Sequence, residues 1–146
     1  MISSVEARVY AHATENRERV LRALLEVFPP ELRGKVIINA ETLEGHHGNP
    51  IEIFTATLRG SAEVALKYLI SRLDDLDRAK LKATLATRVD KGGDLFLRLS
   101  KQGAFLGRLQ LDESDDVVRV RFSFSGRREE ALRAYEVALE STQTSP

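Results

Sequence analysis

The sequence predicts an α+β fold, a mostly antiparallel sheet with helices packed on one face. Three observations carry this. Apolar and polar residues alternate with period two in several short segments. Some of these segments are joined by connections too short for a parallel crossover. Between the others lie stretches whose apolar residues recur at three- and four-residue spacing. The resulting order is β-α-β-β-α-α-β-β-β-α. A ferredoxin-like α+β sandwich is the alternative arrangement of such elements.

Each element has its own warrant. Val5, Ala7, Val9 and Ala11 alternate with Glu6, Arg8, Tyr10 and His12, which marks a strand with one buried face. Thr14 stands where an N-cap belongs, with Glu15 in the first turn to suit the helix dipole. Leu21, Leu24, Leu25 and Phe28 then predict a helix over 15–28, stopped by Pro29-Pro30. Residues 35–44 and 51–59 read as a hairpin whose tip is Gly45-His46-His47-Gly48-Asn49-Pro50. Gly60-Ser61 opens a helix to about residue 73, and Asp74-Asp75-Leu76-Asp77 separates it from a second that runs to about Arg88. Gly92-Gly93 closes that stretch. Residues 94–100, 104–111 and 117–124 are expected as a three-strand meander. Residues 127–140 form the last helix, with Leu132, Tyr135 and Leu139 inward, and 141–146 are a frayed polar tail. A single domain spans 1–146.

Composition narrows the function. The chain has 146 residues, 42% hydrophobic and 30% charged, a globular balance. It has no cysteine, which excludes disulfides, thiolate zinc sites, iron–sulfur clusters and a cysteine nucleophile. No apolar run approaches the ~20 residues of a membrane span. Met1-Ile2-Ser3-Ser4-Val5-Glu6 does not open a signal peptide, so a soluble, cytoplasmic protein is expected. Lys plus Arg and Asp plus Glu both number 22, yet the charge is segregated. Residues 112–116 hold four acids. The flanking 91–111 and 117–128 hold eight basic residues against one acid, Asp94.

The usual catalytic and phosphate-loop motifs are absent. Asp75 and Asp77 lack a third ligand at a recognised spacing and fit helix capping better than a metal. His46 and His47 are adjacent in a turn, where two imidazoles diverge, and no orienting carboxylate accompanies them. No metal and no cofactor are expected. A solvated turn is the plain reading of that loop; ligand contact by imidazole stacking, with Asn49 beside it, is the other.

The meander is more informative. Alternation assigns Leu95, Leu97, Leu99, Phe105, Leu109, Leu111, Val118, Val120, Phe122 and Phe124 to the core. The opposite face then carries Phe96, Arg98, Arg108, Gln110, Arg119, Arg121 and Ser123. Guanidinium groups contact phosphates and stack on bases, and an exposed Phe can stack on an unpaired base. Lys101, Arg127 and Arg128 extend the basic surface. An ordinary solvated sheet face would show the same pattern.

Several segments together resemble a known family. They are Ile2-Ser3-Ser4-Val5-Glu6 with His12-Ala13-Thr14-Glu15, Leu43-Glu44-Gly45-His46-His47-Gly48-Asn49-Pro50-Ile51, Arg88-Val89-Asp90, and Leu95-Phe96-Leu97-Arg98 with Lys101-Gln102-Gly103-Ala104-Phe105-Leu106-Gly107. Over about residues 2–140 the chain resembles a family of small archaeal proteins described as RNA-binding and exosome-associated. His47 stands where that family often has tyrosine, and Gly103 where alanine is common. The resemblance implies a fold similar to the large-subunit ribosomal protein that contacts 5S RNA. It also implies a non-catalytic RNA-binding role, as an accessory to an RNA-processing assembly, and it brings no catalytic residues. A protein–protein adaptor docking through the open sheet is the alternative function, and a histidine-dependent hydrolase or nuclease a third. RNA, single-stranded or structured, is the expected partner, and a homodimer is among the assemblies the sequence allows.

Overall fold

Alternation along the first strand sets the layers. In the computed structural model, which describes residues 1–44 and 48–142, Val5, Ala7, Val9 and Ala11 of β1 (Ile2–His12) are buried, while Arg8 and His12 are exposed. β1 is the middle strand of five. The others are β2 (Ile37–Glu44), β3 (Pro50–Arg59), β4 (Leu95–Ser100) and β5 (Val117–Phe124), in the spatial order β2-β3-β1-β5-β4 with every neighbour antiparallel. The predicted α+β class is therefore observed. Leaving out β4, the chain traces β-α-β-β-α-β with β3 between β1 and β2, the split arrangement of the ferredoxin-like alternative.

One face of this sheet is covered by helices α1 (Arg17–Leu25), α2 (Ala62–Arg72), α3 (Asp75–Ala83), α4 (Leu85–Arg88), α5 (Lys101–Phe105) and α6 (Arg128–Thr142). Their apolar stripes supply Val20, Leu24, Leu66, Leu69, Leu81, Tyr135 and Leu139 to a core shared with Phe54, Leu97, Val120 and Phe122 of the strands. The caps follow the chemistry of short polar side chains. Asp74 accepts from the Asp77 amide at 2.8 Å to start α3. For α1 the cap is Asn16, which accepts from the Arg19 amide at 3.1 Å, and not Thr14. The Glu15 carboxylate is engaged elsewhere, so the helix begins two residues later than predicted.

The meander is the larger correction. Residues 95–100 and 117–124 are strands, but 104–111 is not. The Ser100 hydroxyl accepts from the Gly103 amide at 3.0 Å, and this cap turns Lys101–Phe105 into a helical turn that buries Lys101, Gly103 and Ala104. Gly107 follows with φ of +74°, which takes the chain out of the turn. Of the predicted strand only its end reaches the sheet. Ser100 N–H donates to the Gln110 carbonyl at 2.8 Å and Asp112 N–H to that of Arg98 at 3.0 Å, along the outer edge of β4. Leu109 is buried there, whereas Phe105 and Leu111 are only partly so.

Gly93 shows how closely the helix layer sits on the sheet end. Its φ is +95°, and a Cβ built on it would lie 2.9 Å from the Ala131 Cβ of α6. Its carbonyl accepts the buried Tyr135 hydroxyl at 2.6 Å. Burial raises the Tyr135 phenol far above its ordinary value, with Asp94 and Asp90 adding to the shift, so the hydroxyl remains a donor. Gly93→Ala is expected to destabilise the fold by more than about 1 kcal/mol. Gly92→Ala, where the nearest atom would be an Asp90 oxygen at 3.6 Å, is expected to be tolerated. Thermal unfolding of the two variants checks both.

Candidate nucleic-acid interface

Strand register places the basic residues. On the open face Arg98 of β4 lies opposite Arg119 of β5, Arg119 opposite Arg8 of β1, and Arg8 opposite Thr55 of β3. The parallel row two residues on is Phe96, Arg121, Glu6 and Thr57. Neighbouring strands are about 4.8 Å apart, so three arginines bridge three strands within ~10 Å. Like charges directly opposite one another destabilise an antiparallel pair. This row contains two such pairs.

The surroundings offset the repulsion only in part. An Arg98 guanidinium nitrogen donates to the Ser114 carbonyl and lies 3.4 Å from the exposed Asp115 carboxylate. The Arg98 Nε is buried and has no partner among the described residues. Arg119 lies over the Tyr10 ring at 5.7 Å from its centroid, and Arg121 stands 3.5 Å from Glu6. Arg8 is exposed, with Arg119 and Thr55 as its row neighbours. Phe96 is 44% exposed on this face, which is large for an aromatic ring in a strand. Glu6, Arg8, Phe96, Arg98, Arg119 and Arg121 together line a concavity of about 360 Å³.

A second concavity, about 580 Å³, adjoins the first at Arg119 and is lined by Tyr10, His12, Gln102 and Asp116. Its wall holds Lys101, which is 2% exposed. The ammonium donates to the Tyr10 carbonyl and to Glu15 Oε1, both at 2.7 Å, and lies 3.5 Å from Asp116. Burial works to raise the Glu15 carboxyl, but the His12 amide and the Lys101 ammonium outweigh it and hold the group below the usual carboxylate range. Lys101 is thus a buried tie between β1, the approach to α1 and the β4–β5 connection.

The predicted site residues therefore separate. Phe96, Arg98, Arg119 and Arg121 share the open face. Lys101 does not join them, because the capped turn at Ser100 points it inward. Arg108 is exposed on the connection after α5, off the sheet, since the strand predicted there does not form. Arg127 and Arg128 lie beyond the turn at Gly126 (φ +140°), which carries the chain into the helix layer. There Arg127 pairs with Glu130 at 3.1 Å, and Arg128 donates to the Ala86 carbonyl at 2.9 Å. Asn49 is exposed next to β3, at the end of the sheet where His12 pairs with Ile51. His46 and His47 lie outside the described residues. Among the described residues no three His, Asp or Glu side chains are grouped to hold a metal ion, and no helix is long and apolar enough to cross a membrane. Arg8 and Tyr10 are the residues that sequence reasoning passed over. Their outward phase was visible, but not that β1 would pair directly with β5.

An antiparallel sheet with helices on one face and an arginine row on the other defines an α+β protein with an open cationic surface. The chain belongs to the RNA-binding family, whose sequence profile, described as RNA binding, matches residues 4–124. It is 34% identical over 143 residues to a protein named as RNA-binding from Pyrococcus abyssi, covering 94% of this chain and 93% of that one. It is also 34% identical over 129 residues to an uncharacterised protein of Methanocaldococcus jannaschii, covering 85% of each. Among solved structures, a protein from Methanothermobacter thermautotrophicus superposes with a TM-score of 0.73 at 27% identity, covering 95% of this chain and 98% of that one.

The Lys101–Glu15 tie makes a pH signature. A carboxyl whose folded value is lowered stabilises the fold above the usual carboxylate range and loses that contribution as pH falls through the lowered value. Glu15→Gln is expected to be less stable than the native chain at neutral pH. The gap between their thermal midpoints should narrow under acid, and melts at two pH values measure it.

Proposed function

We propose that this protein is a non-catalytic RNA-binding protein that takes RNA on the open sheet face, with Arg8, Arg98 and Arg119 on phosphates and Phe96 stacked against a base. The like-charged row across three adjacent strands carries the reading. A sheet that sets arginine against arginine twice has left room for an anion to complete the site. Membership of the RNA-binding family and the name of the Pyrococcus abyssi relative support the same ligand. Lys101, whose ammonium is committed to Tyr10, Glu15 and Asp116, has a structural part and no contact with RNA.

The resemblance to exosome-associated proteins supports a finer role in the cytoplasm, as an accessory that brings RNA to a processing assembly. Its implied likeness to the 5S-RNA-contacting ribosomal protein makes structured RNA the first probe. If the role is correct, association with such an assembly should depend on RNA and be lost with the arginine row.

Titration with single-stranded, duplex and ribosomal RNA at two salt concentrations tests the face. The Arg8→Ala, Arg98→Ala and Arg119→Ala triple variant should bind all sequences more weakly. Its salt slope should be lower by about 2–3, close to one phosphate per arginine. Its thermal midpoint should equal or exceed the native one, since removing the row also removes repulsion. Native affinity in the triple variant would move the RNA elsewhere, the Gly45–Pro50 segment being the next candidate. Binding that is insensitive to salt would favour a protein partner on an apolar patch.

Phe96→Ala reads the other component. It should cost about 1–3 kcal/mol in single-strand binding with the salt slope unchanged. An unchanged affinity for single strands would remove stacking from the site.

A further inference from the structure

The two edges of the sheet differ. The outer edge of β4 is covered at its end by residues 110–112, through the Ser100–Gln110 and Arg98–Asp112 backbone bonds. β2, at the opposite edge, has all eight residues exposed. Ile37 is 64% exposed, Leu43 50% and Ile38 39%. Its pairing with β3 runs without a bulge from Ile37↔Thr57 to Glu44↔Pro50. It holds no lysine or proline to block approach. An unbulged strand with large apolar side chains exposed presents, among the described residues, a free row of backbone donors and acceptors and is a template for another strand.

We propose that the strand it pairs with is β2 of a second copy of this chain, antiparallel, about a two-fold axis at Ala40, so that two five-stranded sheets become one of ten. The sequence of β2 selects that register. A two-fold axis perpendicular to the sheet keeps each residue on its own face, so residues of equal parity must meet. Two registers retain seven residues of overlap. With Glu41 on the axis, Glu41 meets its own copy and Ile38 meets a glutamate. With Ala40 on the axis, Ile37 meets the partner's Leu43, Ile38 the partner's Thr42 and Asn39 the partner's Glu41, with no like charges opposed. The two most exposed large apolar residues of the strand then cover each other twice. The partner is a second copy because this one strand supplies both halves of the match.

Ile37 and Leu43 lie on the open face, since Ile37 is opposite Thr57 and Thr57 opposite Glu6. Asn39 continues the row of Arg98, Arg119, Arg8 and Thr55. The axis at Ala40 is one residue from that row, so the rows of the two copies run nearly end to end. The two Arg8 positions are then about 24 Å apart, five strand spacings. The pairing itself does not depend on what the arginines bind.

Sedimentation equilibrium of the full chain should give the mass of a dimer. The Ile37→Lys, Leu43→Lys double variant and the Ile37→Glu, Leu43→Glu double variant should each be monomeric, because like charges then face one another across the axis. An equimolar mixture of the two should return to the dimer mass. Both positions are exposed, so the circular dichroism spectra of the monomers should stay native, with melts lower than the dimer's only by the lost association. As a second readout, Ala40→Cys in this cysteine-free chain should give a covalent dimer on mild oxidation, while Asn39→Cys should not. A monomeric native chain overturns the proposal. So does a dimer that survives either double substitution, and so does a mixture that stays monomeric. Cross-linking through Asn39→Cys but not Ala40→Cys would discard the register.

Discussion

The phase of β1 is the constraint on which the rest of the molecule depends. β1 is hydrogen-bonded on both sides, so its alternation is copied into β3 and β5 by their registers and from β5 into β4. Val5, Ala7 and Val9 set the buried rows, and Phe122, Val120, Leu58, Ala56 and Phe54 fall in line with them. The same register fixes the opposite rows without further choice. A slip of one residue would put Arg8 and Tyr10 under the helices and the valines in water, at a cost no local adjustment could offset. The arginine row is therefore as well determined as the core, although it lies outside it.

A buried lysine is the other unusual element. Burying an ammonium is unfavourable unless its protons are answered, and Lys101 answers them with a carbonyl and two carboxylates drawn from three parts of the chain. The consequence is geometric. The end of β1, the residues before α1 and the connection that enters β5 are held at one point, and Tyr10 and Arg119 rise beside it. An apolar residue could fill the same volume but would leave Glu15 facing the core side without its counter-charge. The tie links an interior choice to the shape of the open face.

Most of the architecture was legible because periodicity reports burial. The alternation of β1, β4 and β5 and the helical stripes of α2 and α6 were readable as they stood. The failure at 104–111 has a specific cause. Phe105, Leu109 and Leu111 alternate as a strand would, but one serine cap and Gly107 decide the local conformation, and the pattern is then satisfied by a turn packed beneath α1. That error misplaced Lys101 and Arg108 together. Arg127 and Arg128 were misplaced because charge runs carry no information about layers; a turn at Gly126 sent them to the helix side. Arg8 was missed for the converse reason. Its outward direction was plain, but its neighbours depend on a pairing between residues more than a hundred positions apart in the chain.

The unequal edges of the sheet also limit growth. An element that can add a strand at both ends can extend without bound, which is the geometry of fibres. Here the segment 110–112 shields the end of one edge, and among the described residues β2 is the edge left exposed along its length. Any strand added there uses up the longer open row of backbone groups, and the end of β4 stays covered by residues 110–112. A short backbone contact along β4 thus acts as a chain stopper, and it lets the opposite edge remain apolar and uncovered without exposing the protein to open-ended polymerisation.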